Sequence, residues 1–184
     1  MGDRDVIDQV TSALVAHMQT RLPELGTVHV HSLSAAETPF PASNVVVALV
    51  AVDAHEHMRS LPLVETVDGF ERPPLRLRLS YAITFTGAHA DAQTRLARVL
   101  ALFHTAPILR PAQLTPAVGT RLGTLTVQLR NTTADERNHI WTAWGREARL
   151  ALFYTVDVAL VDLLEGAEGW GSVTEHRVDY VGAP

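Results

Sequence analysis

The 184-residue sequence predicts an α+β domain in which a mixed or mostly antiparallel sheet of about five strands packs with about three helices. The first observation behind this is the stretch 73–109, which holds a strand, a short polar turn and a helix in that order. Leu75, Leu77, Leu79, Tyr81, Ile83 and Phe85 are apolar, while Arg76, Arg78, Ser80, Thr84 and Thr86 between them are polar. That period of two predicts one buried and one wet face. Pro73-Pro74 stops a helix from running in. After Gly87, the residues Leu96, Val99, Leu100 and Phe103 recur on one helical stripe. The second observation is a pair of further alternating runs, near 125–130 and 149–158, with a capped helix between them. The third is size. A chain this long buries roughly 70% of its unfolded surface, enough for a core without disulfides or metals.

The elements follow in order. Residues 4–21 read as a helix that Asp3 or Asp5 can cap, with Val6, Val10, Leu14, Met18 and Arg21 near one face. Pro23 ends it. Residues 27–33 form a short alternating strand, with Val28 and Val30 on one side, and 34–43 a loop with Pro39 and Pro41. The run NVVVALVAV at 44–52 is apolar on both faces, which places it centrally in the sheet. Residues 53–74 read as a long, mostly irregular insertion, of the length that is usually functional or mobile. After the strand and helix of 73–109, residues 106–121 read as a loop punctuated by Pro107, Pro111, Pro116 and Gly119. Leu125, Val127 and Leu129 alternate with polar residues in another half-buried strand. Thr133 and Glu136 form a T-x-x-E capping box, opening a helix that ends at Gly145. Leu150, Leu152, Tyr154, Val156 and Val158 alternate with Arg149, Thr155 and Asp157 in a long strand. Residues 1–164 therefore read as one domain. Residues 165–184 read as a flexible linker, EGAEGWG, followed by a last strand or detachable arm at 172–181.

Composition removes several function classes. The chain has no cysteine, which excludes disulfides, thiolate zinc sites and a thiol nucleophile. Its first residues, MGDRDVIDQV, lack the apolar core of a signal peptide, and Val6 stands where a myristoylation signal needs Ser or Thr. The apolar run 45–52 is far shorter than the ~20 residues of a membrane span. Cytoplasmic assembly and no membrane partner are the expectation. All fifteen basic residues are arginine, scattered without a basic run, and the net charge is −5, so a nucleic-acid partner is not expected. No serine sits in a G-x-S-x-G elbow, and Gly119-Thr-Arg-Leu-Gly123 lacks the Gly-Lys-Ser/Thr of a phosphate loop.

Three groups of residues are candidates for a site. His29-x-His31 lies on a strand, and Asp53, His55 and His57 occupy alternate positions past the apolar run. Such pairs can hold zinc or iron, with a third ligand from the other pair. The expectation set against this puts His29 and His31 on the solvent face of an edge strand and His55 and His57 in a loop, with no metal and no cofactor. Trp141 and Trp144 share a helix stripe with Ile140 and anchor that helix on the sheet or form an interface hot spot. Arg76 and Arg78 lie on the polar face of the main strand, either solvated or meeting an acidic neighbour. With Arg149 and Trp170, these tryptophans and arginines make up the candidate interface.

Three blocks together resemble a known family. They are the opening helix with DVIDQVTSAL; then PPLRLRLSYAITF and a helix with LARVLALFHTAPIL; then LTVQLRNTTADERNHIWTAWGREARLALFYTVDVALV. Their order resembles the tail-cap, or tail-terminator, proteins of contractile injection systems, the phage-tail-like particles of the antifeeding-prophage and Photorhabdus-virulence-cassette type. Tyr81-Ala82-Ile83-Thr84 matches the family's Tyr-x-x-Thr-type strand end. Trp141, then Arg149 to Leu152 and Tyr154, match its Trp helix and Arg-x-x-Leu-x-Tyr-type strand. The resemblance covers roughly residues 5–160 and departs at 54–72, which is not basic as it often is in relatives. It implies a tail-terminator-like fold and a sixfold ring at the end of a tube and sheath. It also implies tube and sheath proteins as partners, a place in a phage-tail-like particle, and no catalysis. The rival readings are a small metal-dependent enzyme using His29, His31, His55 and His57, and a ligand-binding α+β domain.

Overall fold

The computed structural model describes residues 6–37, 39, 41–55, 64–66, 69–71, 75–110, 113–114 and 122–161. The chain runs through α1 (Val6–Arg21), β1 (Val28–Val30), β2 (Val45–Ala54), β3 (Val64–Thr66), β4 (Gly69–Glu71) and β5 (Leu75–Phe85). It continues through α2 (His89–Thr105), β6 (Ile108–Leu109), β7 (Leu125–Leu129), α3 (Ala134–Ala143) and β8 (Ala151–Val161). Six strands make one sheet in the order β1-β2-β5-β8-β7-β6, and β3 and β4 form a separate two-stranded ribbon. β1 is parallel to β2, and the other pairings of the large sheet are antiparallel. The predicted class, α+β with a mixed sheet, is the class observed.

The differences lie in short elements. The two residues of β6 sit within 106–121, where prolines pointed to loop alone. The ribbon β3–β4 sits within 53–74, read as irregular. Its strands are three residues each, too short for an alternating pattern to show in the sequence. β2 is the second strand of the sheet, not a central one. Only the three-residue β1 lies outside it, and its apolar start is buried on both faces because helices cover both sides there.

α1 and α2 cover one face. Val6, Val10, Leu14 and Met18 of α1 and Leu96, Val99 and Phe103 of α2 are buried against Leu79, Tyr81, Ile83, Tyr154 and Val156. Leu100, expected on the same stripe, is 39% exposed. It stands one position past Val99, which rotates it about 100° from that side chain. Thr11 Oγ1 and Tyr81 Oη share a buried hydrogen bond of 2.8 Å that fixes α1 over the middle of β5. Burial pushes the Tyr81 hydroxyl up to about 12. Phe103 meets Tyr154 edge-on at 5.1 Å, and Arg95 stacks over Phe85 at 4.9 Å while donating to the Leu25 carbonyl.

The opposite face is where the strand period misleads. Its wet row was to include Ser80 and Thr84, yet both are buried. The register sets Val46, Thr84 and Ala151 side by side, and Ala48, Ala82 and Phe153 in the next row. Leu33 and Trp141 pack on this half to form a second apolar cluster with Val46 and Ala48. Thr84 Oγ1 donates to the Leu150 carbonyl at 2.8 Å, so its hydroxyl is satisfied without water. Polarity of a single side chain is a weak guide to exposure when a small β-branched residue can bond its own neighbours.

Candidate assembly surface

The second layer is built from the capping box outward. Thr133 Oγ1 accepts from the Glu136 N–H at 3.1 Å, and the Glu136 carboxylate accepts from the Thr133 N–H at 2.9 Å. That backbone bond is the main reason Glu136 sits below the usual carboxylate range. α3 then runs to Ala143, and Gly145 turns the chain with φ +66°, a left-handed conformation that glycine adopts without strain. Trp141, 2% exposed, points onto the sheet; Trp144 is half-buried and meets it edge-on at 5.2 Å. The loop after β1 is fastened to this unit. Arg146 donates from Nε to the Leu33 carbonyl at 3.1 Å and from Nη2 to the Ser34 carbonyl at 3.2 Å. The Ala35 N–H donates to the Trp144 carbonyl at 2.8 Å. Leu33, fully buried, has φ +61°, an uncommon state for a non-glycine residue that these bonds hold in place.

The candidate arginines have different surroundings. Arg78 makes a two-point ion pair with Asp157 on the adjacent strand, at 2.7 and 3.2 Å. The His55 ring also lies within 3.3 Å of its guanidinium. Arg76 is exposed on the same strand. Arg149 is exposed just before β8 and donates to the Thr86 carbonyl at 3.1 Å. Trp170 lies outside the described residues, as does His57.

The described candidates His29, His31 and His55 do not converge. His31 is 7% exposed rather than on a solvent face. The chain turns at Leu33 beneath Trp141, and the His31 Nδ1 accepts from the Leu33 N–H at 2.9 Å. His29 is half-buried on β1 beside Val46, whereas His55 follows the far end of β2. Nine residues of strand separate Val46 from His55, about 30 Å at the strand rise, so His29 and His55 cannot share a metal ion. Among the described residues no three His, Asp or Glu side chains group closely enough to hold a metal. Elemental analysis of tag-free protein is expected to find well under one equivalent of zinc or iron. Stoichiometric, chelator-sensitive metal would reinstate the histidines as ligands.

Two cavities stand out among the described residues. One, of about 490 Å³, lies between α1 and Gln113-Leu114 and is lined by Ser12, Ala13, His17, Thr20 and Arg21 among others. Burial, and then the Arg21 charge, hold His17 below its ordinary pKa. No carboxylate is present among the described lining residues to pair with it in acid–base work. The other, of about 200 Å³, lies where β7 ends and β8 begins. Apolar side chains are left open at separate strand ends, Val30 on β1, Leu129 on β7 and Leu150 just before β8, between 39% and 57% exposed. Sequence reasoning missed this surface because Leu129 and Leu150 continue a buried period and give no local sign that the helices stop short of them. No described helix is long and apolar enough to cross a membrane.

Together, the mixed six-stranded sheet and the helices on both of its faces define an α+β domain. The fold is similar to that of the PVC sheath/tube terminator in its extended state, from an extracellular contractile injection system. The TM-score is 0.55 at 17% identity, covering 97% of this chain and 64% of that one. The tube-terminating cap of the anti-feeding prophage gives a TM-score of 0.49 at 18% identity, covering 95% of this chain and 60% of that one. The chain thus spans less than two thirds of the length of either. No curated protein matches the sequence. The model of the Pvc16 N-terminal domain family matches residues 9–172, and the chain belongs to that family.

Proposed function

We propose that this protein is the structural cap at the end of the tube and sheath of a contractile injection system. The observation that carries this is the family match over residues 9–172, on a fold similar to a sheath/tube terminator. Residues 1–164 form the cap domain and 165–184 an arm. The partners are further copies of this chain, in a sixfold ring, and the tube and sheath proteins of the same particle. The cap assembles in the cytoplasm and becomes part of a phage-tail-like particle. No catalytic step is assigned to it.

The physics of such a cap is symmetry. A subunit that closes a ring on itself satisfies its own lateral surfaces. If one ring face binds the last layer of tube and sheath, and the other does not repeat that layer's surface, growth stops. Nothing in this requires a titrating group or a cofactor. It requires a rigid body with interfaces at fixed angles, which a sheet packed on both faces supplies.

The test is imaging and sizing of the purified 184-residue protein, alone and mixed with tube and sheath ends. Rings of sixfold symmetry are expected in one of the two conditions. Deleting residues 166–184 is expected to weaken ring formation while the melting transition persists. A protein that stays monomeric in both conditions would falsify the ring.

A further inference from the structure

The start of β8 is a strand edge inside the sheet. β7 pairs with β8 only as far as Leu129 opposite Tyr154, followed by one bond from the Arg130 N–H to the Phe153 carbonyl at 2.8 Å. β8 itself begins at Ala151, paired with Thr84 on its β5 side. Backbone groups alternate in direction along a strand, so Ala151 aims its N–H and C=O the same way as Phe153, past the end of β7. Among the described residues no strand lies there. The cavity of about 200 Å³ opens along this edge.

The two faces of that edge differ in chemistry. Leu129 and Leu152 line the cavity from the face that carries α1 and α2, and Leu129 is 50% exposed. Arg130 and Arg137 line it from the face that carries α3. Arg130 shares its charge with Glu136 at 3.2 Å, and Arg137 donates to a neutral acceptor, the Thr132 carbonyl. Arg149 borders the same edge two residues upstream. An extended segment that alternates apolar and acidic side chains matches this arrangement: backbone to Ala151, apolar side chains to the leucines, carboxylates to the arginines.

We propose that this edge docks the 162–184 segment of a second copy of the chain. That segment carries Asp162, Glu165, Glu168, Glu175 and Asp179 against the single basic residue Arg177. Its Val178-Asp179-Tyr180 places an acid between two apolar residues, the alternation the edge calls for. The choice of a second copy rests on the ring reading above. It is supported by direction: β8 leaves the sheet at Val161, ten residues and about 33 Å from Ala151. A copy's own segment must double back over that length, whereas a neighbour's arrives from outside.

The absence of cysteine makes the test clean. The exposed Asn131 beside the cavity is changed to Asn131→Cys in one tagged copy. Val173→Cys, Val178→Cys or Val181→Cys is placed in a copy with a different tag. The two are mixed and treated with a mild oxidant. A disulfide joining the two tags at one or more positions is expected, and adding Arg137→Glu to the first copy is expected to lower its yield several-fold with the melting temperature unchanged. Absence of any cross-link overturns the proposal. So does a cross-link that forms within single copies carrying both cysteines and never between copies. Sixfold rings without the cross-link remove the docking site and leave the cap reading in place. A cross-linked pair of copies without rings keeps the docking site and removes the sixfold symmetry.

Discussion

Replacing Trp141 with alanine is expected to destabilise the protein by about 3–5 kcal/mol, the usual cost of truncating a buried tryptophan. For a chain of this size each kcal/mol moves the melting temperature by roughly 2–4 °C, so the transition should fall by on the order of 10 °C. The reason is that Trp141 is the main side chain joining α3 to the sheet, and its loss opens a void over Val46 and Ala48. The void also uncovers Leu33, which packs in the same cluster and keeps its φ of +61° through the Arg146 bonds. Trp144 is half-buried at the margin, so Trp144→Ala should cost clearly less. Calorimetry of the two single variants and the double variant separates the contributions. The rings touch edge-to-face at 5.2 Å, so the double variant is expected to lose less than the sum of the single losses. If Trp141→Ala melts like the wild type but no longer assembles, the tryptophan pair belongs to an interface, and the packing described above is wrong.

The sequence made the long elements legible because their periods are long. α2, β5 and β8 each carry three or more apolar residues at one spacing, and the capping box at Thr133 and Glu136 marks the start of α3 to the residue. Short elements carry no period: two residues of β6 and three each of β3 and β4 offer nothing to count. Pairing, not composition, makes them strands. The order β1-β2-β5-β8-β7-β6 is likewise invisible locally, since β5 and β8 are neighbours with 65 intervening residues between Phe85 and Ala151.

Side-chain placement followed a different rule. Arg78 reads as either solvated or meeting an acidic neighbour, and its alternating position on the strand is the one observed. What the sequence could not show is that Asp157 stands directly opposite on β8, so that the pair is satisfied within one chain. His31 looked solvent-facing for the same reason. Its burial depends on the Arg146 contacts with Leu33 and Ser34, more than 110 residues away along the chain. Residues that act through long-range partners are the ones a one-dimensional reading misplaces. The candidate docking edge belongs to this class: it exists because β7 stops before β8 does.

Cells that lack this protein are expected to make tubes and sheaths that are absent, uneven in length or unstable at one end. A polymer whose subunits repeat one interface has no internal length limit, so the last layer remains open to further addition or loss. A cap removes both by covering the terminal interface with a surface that the next subunit cannot use. The measurement is the length distribution of particles by electron microscopy, in a deletion strain and after complementation. A broadened distribution, or sheaths that contract or fall apart from the capped end, is the expected result, with restoration by the intact gene. Complementation with Arg137→Glu separates two levels of the argument. If the docking edge holds the ring together, that variant should restore length control poorly although it folds. If it restores length control fully, the cap stands and its ring is joined elsewhere. Particles of normal, uniform length in a clean deletion would remove the cap assignment itself, because a terminator that can be absent without consequence is not what ends the polymer.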